Sequence, residues 1–224
     1  MIIEEYFEKT ETSFRGLDIT FSSITGSSYG GILLRSIENK QTGQVYEGSC
    51  LVVDALLNLC QSETIKELVE IHLKKNLDVF NCNPILYLRS IRSTNSQELL
   101  ASPRVGLTLK VPSIDRERFL FRPYRFTPRD YYPSKMKMTI LLTLAAEKCL
   151  ADPQKKLSNF ADQIAKETNT RLSTVKTNLN DCQKGYEIDT SKKTSPLVDF
   201  YKKNFSTADL AKAYGIWLRT YRTN

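Results

Sequence analysis

The hydrophobic periodicity of this chain changes once, near residue 130, and this change constrains the fold more than any other feature of the sequence. Before it, short apolar segments alternate with polar residues at the period of two that is typical of strands. After it, apolar residues recur every three or four positions, as they do along one face of a helix. The pattern predicts an α+β protein with an antiparallel-sheet N-terminal domain, residues 1–130, and an all-helical C-terminal domain, residues 135–224.

The stretch before this change predicts a β-hairpin rich in arginine and aromatic residues. Residues 105–111 alternate Val and Leu with Gly, Thr and Lys, and we expect a second strand over Arg118–Arg122. Guanidinium groups bind phosphates and aromatic rings stack on bases, so this mixture is typical of a nucleic-acid surface. The candidate nucleic-acid-binding residues here are Arg116, Arg118, Arg122, Tyr124, Arg125, Arg129, Lys135 and Lys137.

The remaining N-terminal pattern predicts three strands and two helices. Strands are expected over residues 17–23, 31–38 and 85–92, the second of them mostly buried. Arg35 interrupts that apolar run, and a buried charge there would need a partner or ligand. We expect a buried helix over residues 50–59 with Ser49 as its N-cap, and a second helix capped by Ser62.

The C-terminal pattern predicts a helix-turn-helix or winged-helix unit. A helix that is apolar all round is expected over residues 136–150, and Ser158 can cap another over residues 159–167. After the short turn Thr168–Thr170, apolar residues at 3-4-3 spacing predict a third helix that ends at Lys184–Gly185. As a recognition helix it would expose Arg171, Thr174, Lys176, Thr177 and Asn178.

The end of the chain predicts one more amphipathic helix. Ser206 and Asp209 have the spacing of a capping box, which marks a helix start. Leu210, Tyr214, Trp217 and Tyr221 then share one face, and Trp217 is expected in the core.

The net charge of +7 is unevenly distributed. Residues 1–112 hold 11 Lys+Arg and 13 Asp+Glu, whereas residues 113–224 hold 21 and 12. A basic half indicates an acidic partner, most often nucleic acid, and duplex DNA is the partner we expect. The alternative is a basic solvated surface.

Several classes of chemistry have no support in the sequence. The chain contains no G-x-x-x-x-G-K, G-x-G-x-x-G, C-x-x-C or H-E-x-x-H motif, so we expect no cofactor. Five dispersed cysteines and the lone His72 argue against a disulfide framework or a metal site. No apolar run reaches about 18 residues and the N-terminus is acidic, so we expect a soluble intracellular protein, cytoplasmic or nuclear, without membrane contact.

Residues 15–126 resemble the alkyladenine (3-methyladenine) DNA glycosylase family in the order and spacing of short segments. These segments are Gly31–Glu38, Gly48–Asn58, Asn76–Val79, Pro84–Leu88, Ala101–Gly106 and Arg118–Arg122. The resemblance implies a compact α+β domain that flips a damaged base out of the duplex and hydrolyses its glycosidic bond. It also implies that Arg35 and Arg104 lie on strands lining the DNA-binding face.

This sequence departs from the family pattern where catalysis would reside. The family's water-activating glutamate lies on an upstream strand, for which Glu4 or Glu5 is the candidate here, and the wedge hairpin between the two strands has no counterpart. The helical region after residue 135 is also outside the pattern. We therefore expect a DNA-binding protein with a glycosylase-like fold in which catalysis is open or lost. The alternatives are an active base-excision glycosylase for damaged purines, and a structural or adaptor subunit that binds RNA or a protein partner.

Overall fold

The computed structural model describes residues 2–7, 13–23, 25–90, 98–104, 106, 108–134, 137–189, 191 and 195–222, and for residues 2–7, 13 and 14 the backbone alone. The chain forms two compact units, Met1–Thr94 and Asn95–Asn224, here called the N-terminal and C-terminal units. Small antiparallel sheets lie in the N-terminal part and a helical region follows, which confirms the expected α+β class. The division falls well before residue 130, so the arginine-rich stretch belongs to the C-terminal unit.

A three-stranded antiparallel sheet begins the N-terminal unit. Its strands are β1 (Ile2–Phe7), β2 (Ser13–Ser22) and β3 (Tyr29–Leu33), in the order β1-β2-β3. The register pairs Glu4 with Gly16 and Ile19 with Ile32. The strand predicted over residues 17–23 is confirmed within β2.

The predicted strand over residues 31–38 is wrong as a single buried element. The chain leaves β3 at Leu33 and forms β4 (Ser36–Glu38), which pairs with β5 (Val45–Glu47). Most residues of this run are exposed, and so is the Arg35 side chain. Because Arg35 is solvated, its charge needs no buried partner.

Two helical segments cover part of this sheet. Helix α1 (Ser49–Leu59) packs against β2, and Gly48, at φ 122°, is its N-cap in place of Ser49. Its outer side is exposed, so the helix is amphipathic and not buried all round. Helix α2 (Ile65–Glu67) continues into a π-helical turn, Leu68–His72. Its N-cap is Thr64, whose Oγ1 accepts from the Glu67 N–H at 3.1 Å, and not Ser62, which is buried.

Residues 85–90 form no strand, so the strand predicted there is wrong over its described part. The preceding segment is a series of Asx turns. The side-chain oxygens of Asn76, Asp78 and Asn81 each accept from the backbone N–H two residues on, at 3.0 Å. Such local bonds compete with strand pairing for the same backbone groups.

The C-terminal unit begins with a two-stranded ribbon, and it is not the predicted hairpin. β6 (Leu99–Ser102) pairs with β7 (Arg125–Pro128), with helix α3 (Ile114–Leu120) between them. Residues 104, 106 and 108–111 form no strand, and Arg118 to Leu120 are helical. Asp115 and Glu117 lie in the first turn of α3, where carboxylates favour a helix, and this local preference overrides the alternating pattern.

Four longer helices form most of the C-terminal unit. They are α4 (Lys137–Ala151), α5 (Ala161–Glu167), α6 (Leu172–Glu187) and α7 (Thr207–Tyr221), with 3-10 turns at Leu157–Phe160 and Val198–Phe200. The predicted helices are confirmed, although a 3-10 turn that begins after Lys156 replaces the Ser158 cap. The capping box is present: Ser206 Oγ accepts from the Asp209 N–H at 3.1 Å, and Asp209 Oδ2 accepts from the Ser206 N–H at 3.1 Å.

Helices α6 and α7 cross with their backbones in contact. A Cβ on Gly185 would lie 2.0 Å from the Lys212 carbonyl oxygen, and one on Gly215 would lie 1.9 Å from that of Cys182. Gly185 is therefore a packing residue inside α6, and the predicted helix end there is wrong. Trp217 is 4% exposed beside Phe121 and Tyr214, which confirms its place in the core.

Candidate nucleic-acid interface

Helices α5 and α6 form a helix-turn-helix whose turn is fully hydrogen-bonded. Thr168 ends α5 and Asn169 adopts the left-handed conformation, at φ 49°. The Thr170 N–H donates to Ala165 O at 3.0 Å and the Asn169 N–H to Lys166 O at 3.3 Å, the two bonds of a Schellman motif. The Thr168 hydroxyl is buried and donates to Ile164 O at 2.7 Å. These bonds fix the direction in which α6 leaves the turn.

The first ten residues from the start of α6 contain no acidic side chain. Val175 and Leu179 face the core, as predicted. The exposed positions carry cationic or short polar side chains, and they are Arg171, Ser173, Thr174, Lys176, Thr177 and Asn180. Asn178 is 5% exposed, so its predicted place on the outer face is wrong. Its spacing from Val175 and Leu179 places it on the buried side of the helix.

The N-terminus of α6 has no side-chain cap. Arg171 is the N-cap residue, and its side chain cannot accept a bond from the backbone. The first N–H groups of this 16-residue helix therefore point outward beside an exposed guanidinium group. Free N–H groups and the helix dipole both favour an anion at this end.

The carboxylates around the helix-turn-helix are engaged by other cations. Glu167 contacts Lys148 Nζ at 3.1 Å and accepts from Tyr132 Oη at 3.1 Å. Burial, with the neighbouring Glu167 carboxylate, raises the pKa of Tyr132 to about 12. On α6 itself, Asp181 pairs with Lys184 at 2.8 Å. Within the described ranges, Lys166, Arg171 and Lys176 make no ion pair, so their charges face solvent.

The arginine–aromatic stretch does not form one continuous phosphate-binding surface. Arg116 and Arg118 are exposed on α3, while Arg122 and Arg125 are half-buried. Arg129 contacts Glu98 and Glu147, each at 3.0 Å, and the bond to Glu147 raises the pKa of Arg129. Arg129 therefore joins the ribbon to α4.

Exposed rings lie next to these arginines. Phe119, Tyr124 and Phe126 are each more than half exposed, the last at 65%. Lys137 is half-buried at the start of α4, and Lys135 lies outside the described residues. Of the stretch, Arg116, Arg118 and the three rings thus remain on the surface of the C-terminal unit.

The residues expected from the glycosylase resemblance lie in both units. Arg35 and the strand β1 that carries Glu4 and Glu5 belong to the N-terminal unit, and of β1 the backbone alone is described. Arg104 belongs to the C-terminal unit, where it lines a cavity with no carboxylate among its lining residues. The segments that carry the resemblance are thus divided between two compact units.

One buried carboxylate escaped the sequence analysis. Glu117, on α3, is 0% exposed and accepts hydrogen bonds from Ser195 Oγ and Tyr221 Oη, the latter at 2.9 Å. Tyr201 Oη lies 3.0 Å from Ser195 Oγ. This cluster lies inside the unit, away from the lining of the cavity beside Arg104. Its spacing in the sequence gives no signal, because the four residues come from distant segments.

Two further surveys bear on the class of protein. None of the helices in the described ranges combines the length and apolarity that a membrane span requires. In the same ranges no group of three or more His, Cys, Asp or Glu residues is placed to hold a metal ion.

Comparison with known proteins gives a single kind of match. No family model matches this chain, and no solved structure matches it. The chain is 31% identical over 109 residues to an uncharacterized protein of Acanthamoeba polyphaga mimivirus. The match covers 44% of this chain and 49% of the relative, so the chain spans about half the length of the curated relative it matches.

Proposed function

We propose that the C-terminal unit binds duplex DNA through the α5–α6 helix-turn-helix, with α6 in the major groove. The observation that carries this proposal is the combination of the Schellman turn with an acid-free exposed face at the start of α6. In this mode, short polar side chains reach base edges and cations hold the phosphates. Thr174, Thr177 and Asn180 are the candidates for base contacts, and Arg171 for the first phosphate.

The charge of the C-terminal unit supports this proposal. Residues 95–224 hold 23 Lys+Arg and 13 Asp+Glu, a net charge of +10, whereas residues 1–94 hold 9 and 12, a net charge of −3. The helix-turn-helix cations supply part of a phosphate-binding surface, and Arg116 and Arg118 on α3 extend it. If about six of these cations contact phosphates, the log–log dependence of affinity on salt has a slope of about −5.

The test is fluorescence anisotropy of the whole chain with a labelled duplex of about 20 base pairs, two turns of DNA, over a series of salt concentrations. The double variant Arg171→Gln/Lys176→Gln is expected to reduce the slope by about two, one for each phosphate contact. Its matched control is Lys155→Gln/Lys184→Gln, which removes the same charge from cations already paired with Asp152 and Asp181. The control is expected to leave the slope nearly unchanged.

Two outcomes would overturn the proposal. One is the absence of duplex binding at low salt, and the other is an equal loss of affinity in the two double variants. Release of free base from alkylated duplex DNA, abolished by Glu4→Gln or Glu5→Gln, would favour the glycosylase alternative. A protein partner that survives nuclease treatment would favour an adaptor.

A further inference from the structure

The C-terminal unit contains a cavity of about 260 Å³ to which neither α5 nor α6 contributes. Its floor is formed by Leu120 and Phe121 at the end of α3 and by Thr139 of α4, all of them buried. The half-buried Phe205 and Leu210 form one wall. Ligand pockets commonly enclose about 300–1,000 Å³, so this cavity suits a molecule no larger than a ring with one substituent.

The mouth of the cavity is polar and positively charged. Arg104, Thr108 and Asn204 line it with exposed side chains. They come from two segments of the chain, which are joined by the bond from the Lys202 N–H to Leu109 O at 3.0 Å. The same two segments carry further exposed cations, namely Lys110, Lys202 and Lys203.

No lining residue supplies a negative charge to balance these cations. The nearest carboxylate along the chain is Asp209, which precedes Leu210. The Ser206 hydroxyl and N–H bind it at 2.6 and 3.1 Å, and these bonds, with Lys203 and Lys212 nearby, lower the pKa of Asp209. Asp209 thus already has its hydrogen-bond donors, and Arg104 remains without a carboxylate partner in the described chain.

We propose that this cavity binds a small organic anion, a ring or short alkyl chain that bears one carboxylate or phosphate group. The apolar part would contact Leu120, Phe121 and Phe205, and burial of apolar area favours its entry. The anionic group would lie at the mouth, where the planar guanidinium of Arg104 can pair with two of its oxygens. The site is separate from the proposed DNA-binding helix, so either proposal can fail alone.

Binding can be followed through the intrinsic fluorescence of the whole chain. Trp217 is the one tryptophan, and its ring centroid lies 6.1 Å from that of Phe121 on the cavity floor. Four probes separate the contributions: benzoate, phenyl phosphate, the neutral benzyl alcohol and inorganic phosphate. Titration calorimetry with the same probes gives the stoichiometry. Benzoate or phenyl phosphate is expected to bind at one site about tenfold more tightly than benzyl alcohol or inorganic phosphate.

Two variants locate the site. Arg104→Gln is expected to weaken binding of the better anionic probe about tenfold and to leave benzyl alcohol unchanged, which also shows that the variant is folded. Thr108→Phe, at an exposed position on the mouth, is expected to obstruct all probes. Arg116→Gln removes an exposed arginine that does not line the cavity and is the matched control.

The proposal is overturned if no probe binds saturably, or if Arg104→Gln and Arg116→Gln weaken the anionic probe equally. It is also overturned if inorganic phosphate binds as tightly as phenyl phosphate, because the apolar floor would then contribute nothing.

Discussion

The Tyr221 hydroxyl donates a hydrogen bond to the Glu117 carboxylate at 2.9 Å, which joins the last helix to α3. Glu117 is fully buried, and hydroxyl groups are its bonding partners. A buried carboxylate is tolerated where hydrogen bonds replace its hydration. The contact therefore holds the end of the chain to the start of the unit, and it determines what two substitutions should do.

Tyr221→Phe should lower the free energy of unfolding by about 1–3 kcal/mol, because it leaves one oxygen of Glu117 without its donor. Urea denaturation near neutral pH measures this loss. Tyr186→Phe, which removes a hydroxyl from an exposed ring on α6, is the control and should change stability little. Equal effects of the two substitutions would show that the bond to Glu117 contributes nothing.

The same hydroxyl should make the protein less stable in alkali. Burial and the adjacent Glu117 carboxylate raise the pKa of Tyr221 above its ordinary value of 10.0. A raised folded-state pKa gives stability that is complete below pH 10 and is lost as the pH rises towards the folded value. Tyr221→Phe should make the decline above pH 10 shallower, as measured by urea midpoints over a pH series. An unchanged slope would contradict this assignment.

Ser206→Ala should destabilise α7 by about 1 kcal/mol, since it removes the N-cap that accepts from the Asp209 N–H. Hydrogen bonds from Ser206 lower the pKa of Asp209 from its ordinary 3.8. The stability that they contribute is present above pH 3.8 and is lost as the pH falls through the folded-state pKa. Wild type and variant should therefore converge in acid. Ser173→Ala, an exposed change in α6, is the control.

Gly185→Ala should destabilise the C-terminal unit by about 2 kcal/mol or more, although alanine is the better helix former by about 1 kcal/mol. The added methyl would lie 2.0 Å from the Lys212 carbonyl oxygen, and backbone cannot rotate away as a side chain can. Thermal or urea unfolding measures the change. Asn180→Ala, on the exposed side of the same helix, should be neutral or stabilising. A neutral Gly185→Ala would mean that the α6–α7 crossing is loose.

Asn169→Ala should cost about 1 kcal/mol, because a residue with a Cβ and no polar side chain is disfavoured in the left-handed conformation. Asn169→Gly should be neutral at the same position, where φ is 49°. The pair forms its own control in an unfolding experiment. If Ala and Gly behave alike, the turn between α5 and α6 does not depend on this backbone angle.

The helices of the C-terminal unit could be predicted from the sequence because their signals are local. Apolar spacing and the Ser206–Asp209 capping box are each complete within about four residues, the length of a helical turn. Gly185 shows the limit of such reasoning. A glycine after Lys184 suits a helix end, and only α7, lying against it, makes it an interior packing residue.

The strand errors have a related cause. Arg118 to Arg122 alternates polar and apolar residues, yet the acidic first turn of α3 and the pairing of β7 with Leu99–Ser102 decide the local structure. Strand partners distant in the sequence leave no local trace. The same holds for Arg129, whose contacts with Glu98 and Glu147 come from separate elements.

The proposed interface was partly predictable. Helical spacing from Val175 and Leu179 correctly placed Arg171 and Lys176 on the exposed face. The same spacing was applied too broadly to Asn178, which lies next to Leu179 on the inner side. The cavity beside Arg104 could not be foreseen, because its floor and mouth come from four separate stretches of chain.

The glycine crossing of α6 and α7 also offers a criterion for recognising distant relatives. A homologue could replace nearly every solvent-facing residue of these helices and keep the same backbone. It could not place a bulky residue opposite Lys212 or Cys182 without separating the two helices. In an alignment with little overall identity, two small residues at the spacing of Gly185 and Gly215 would therefore be more informative than the basic residues of the surface.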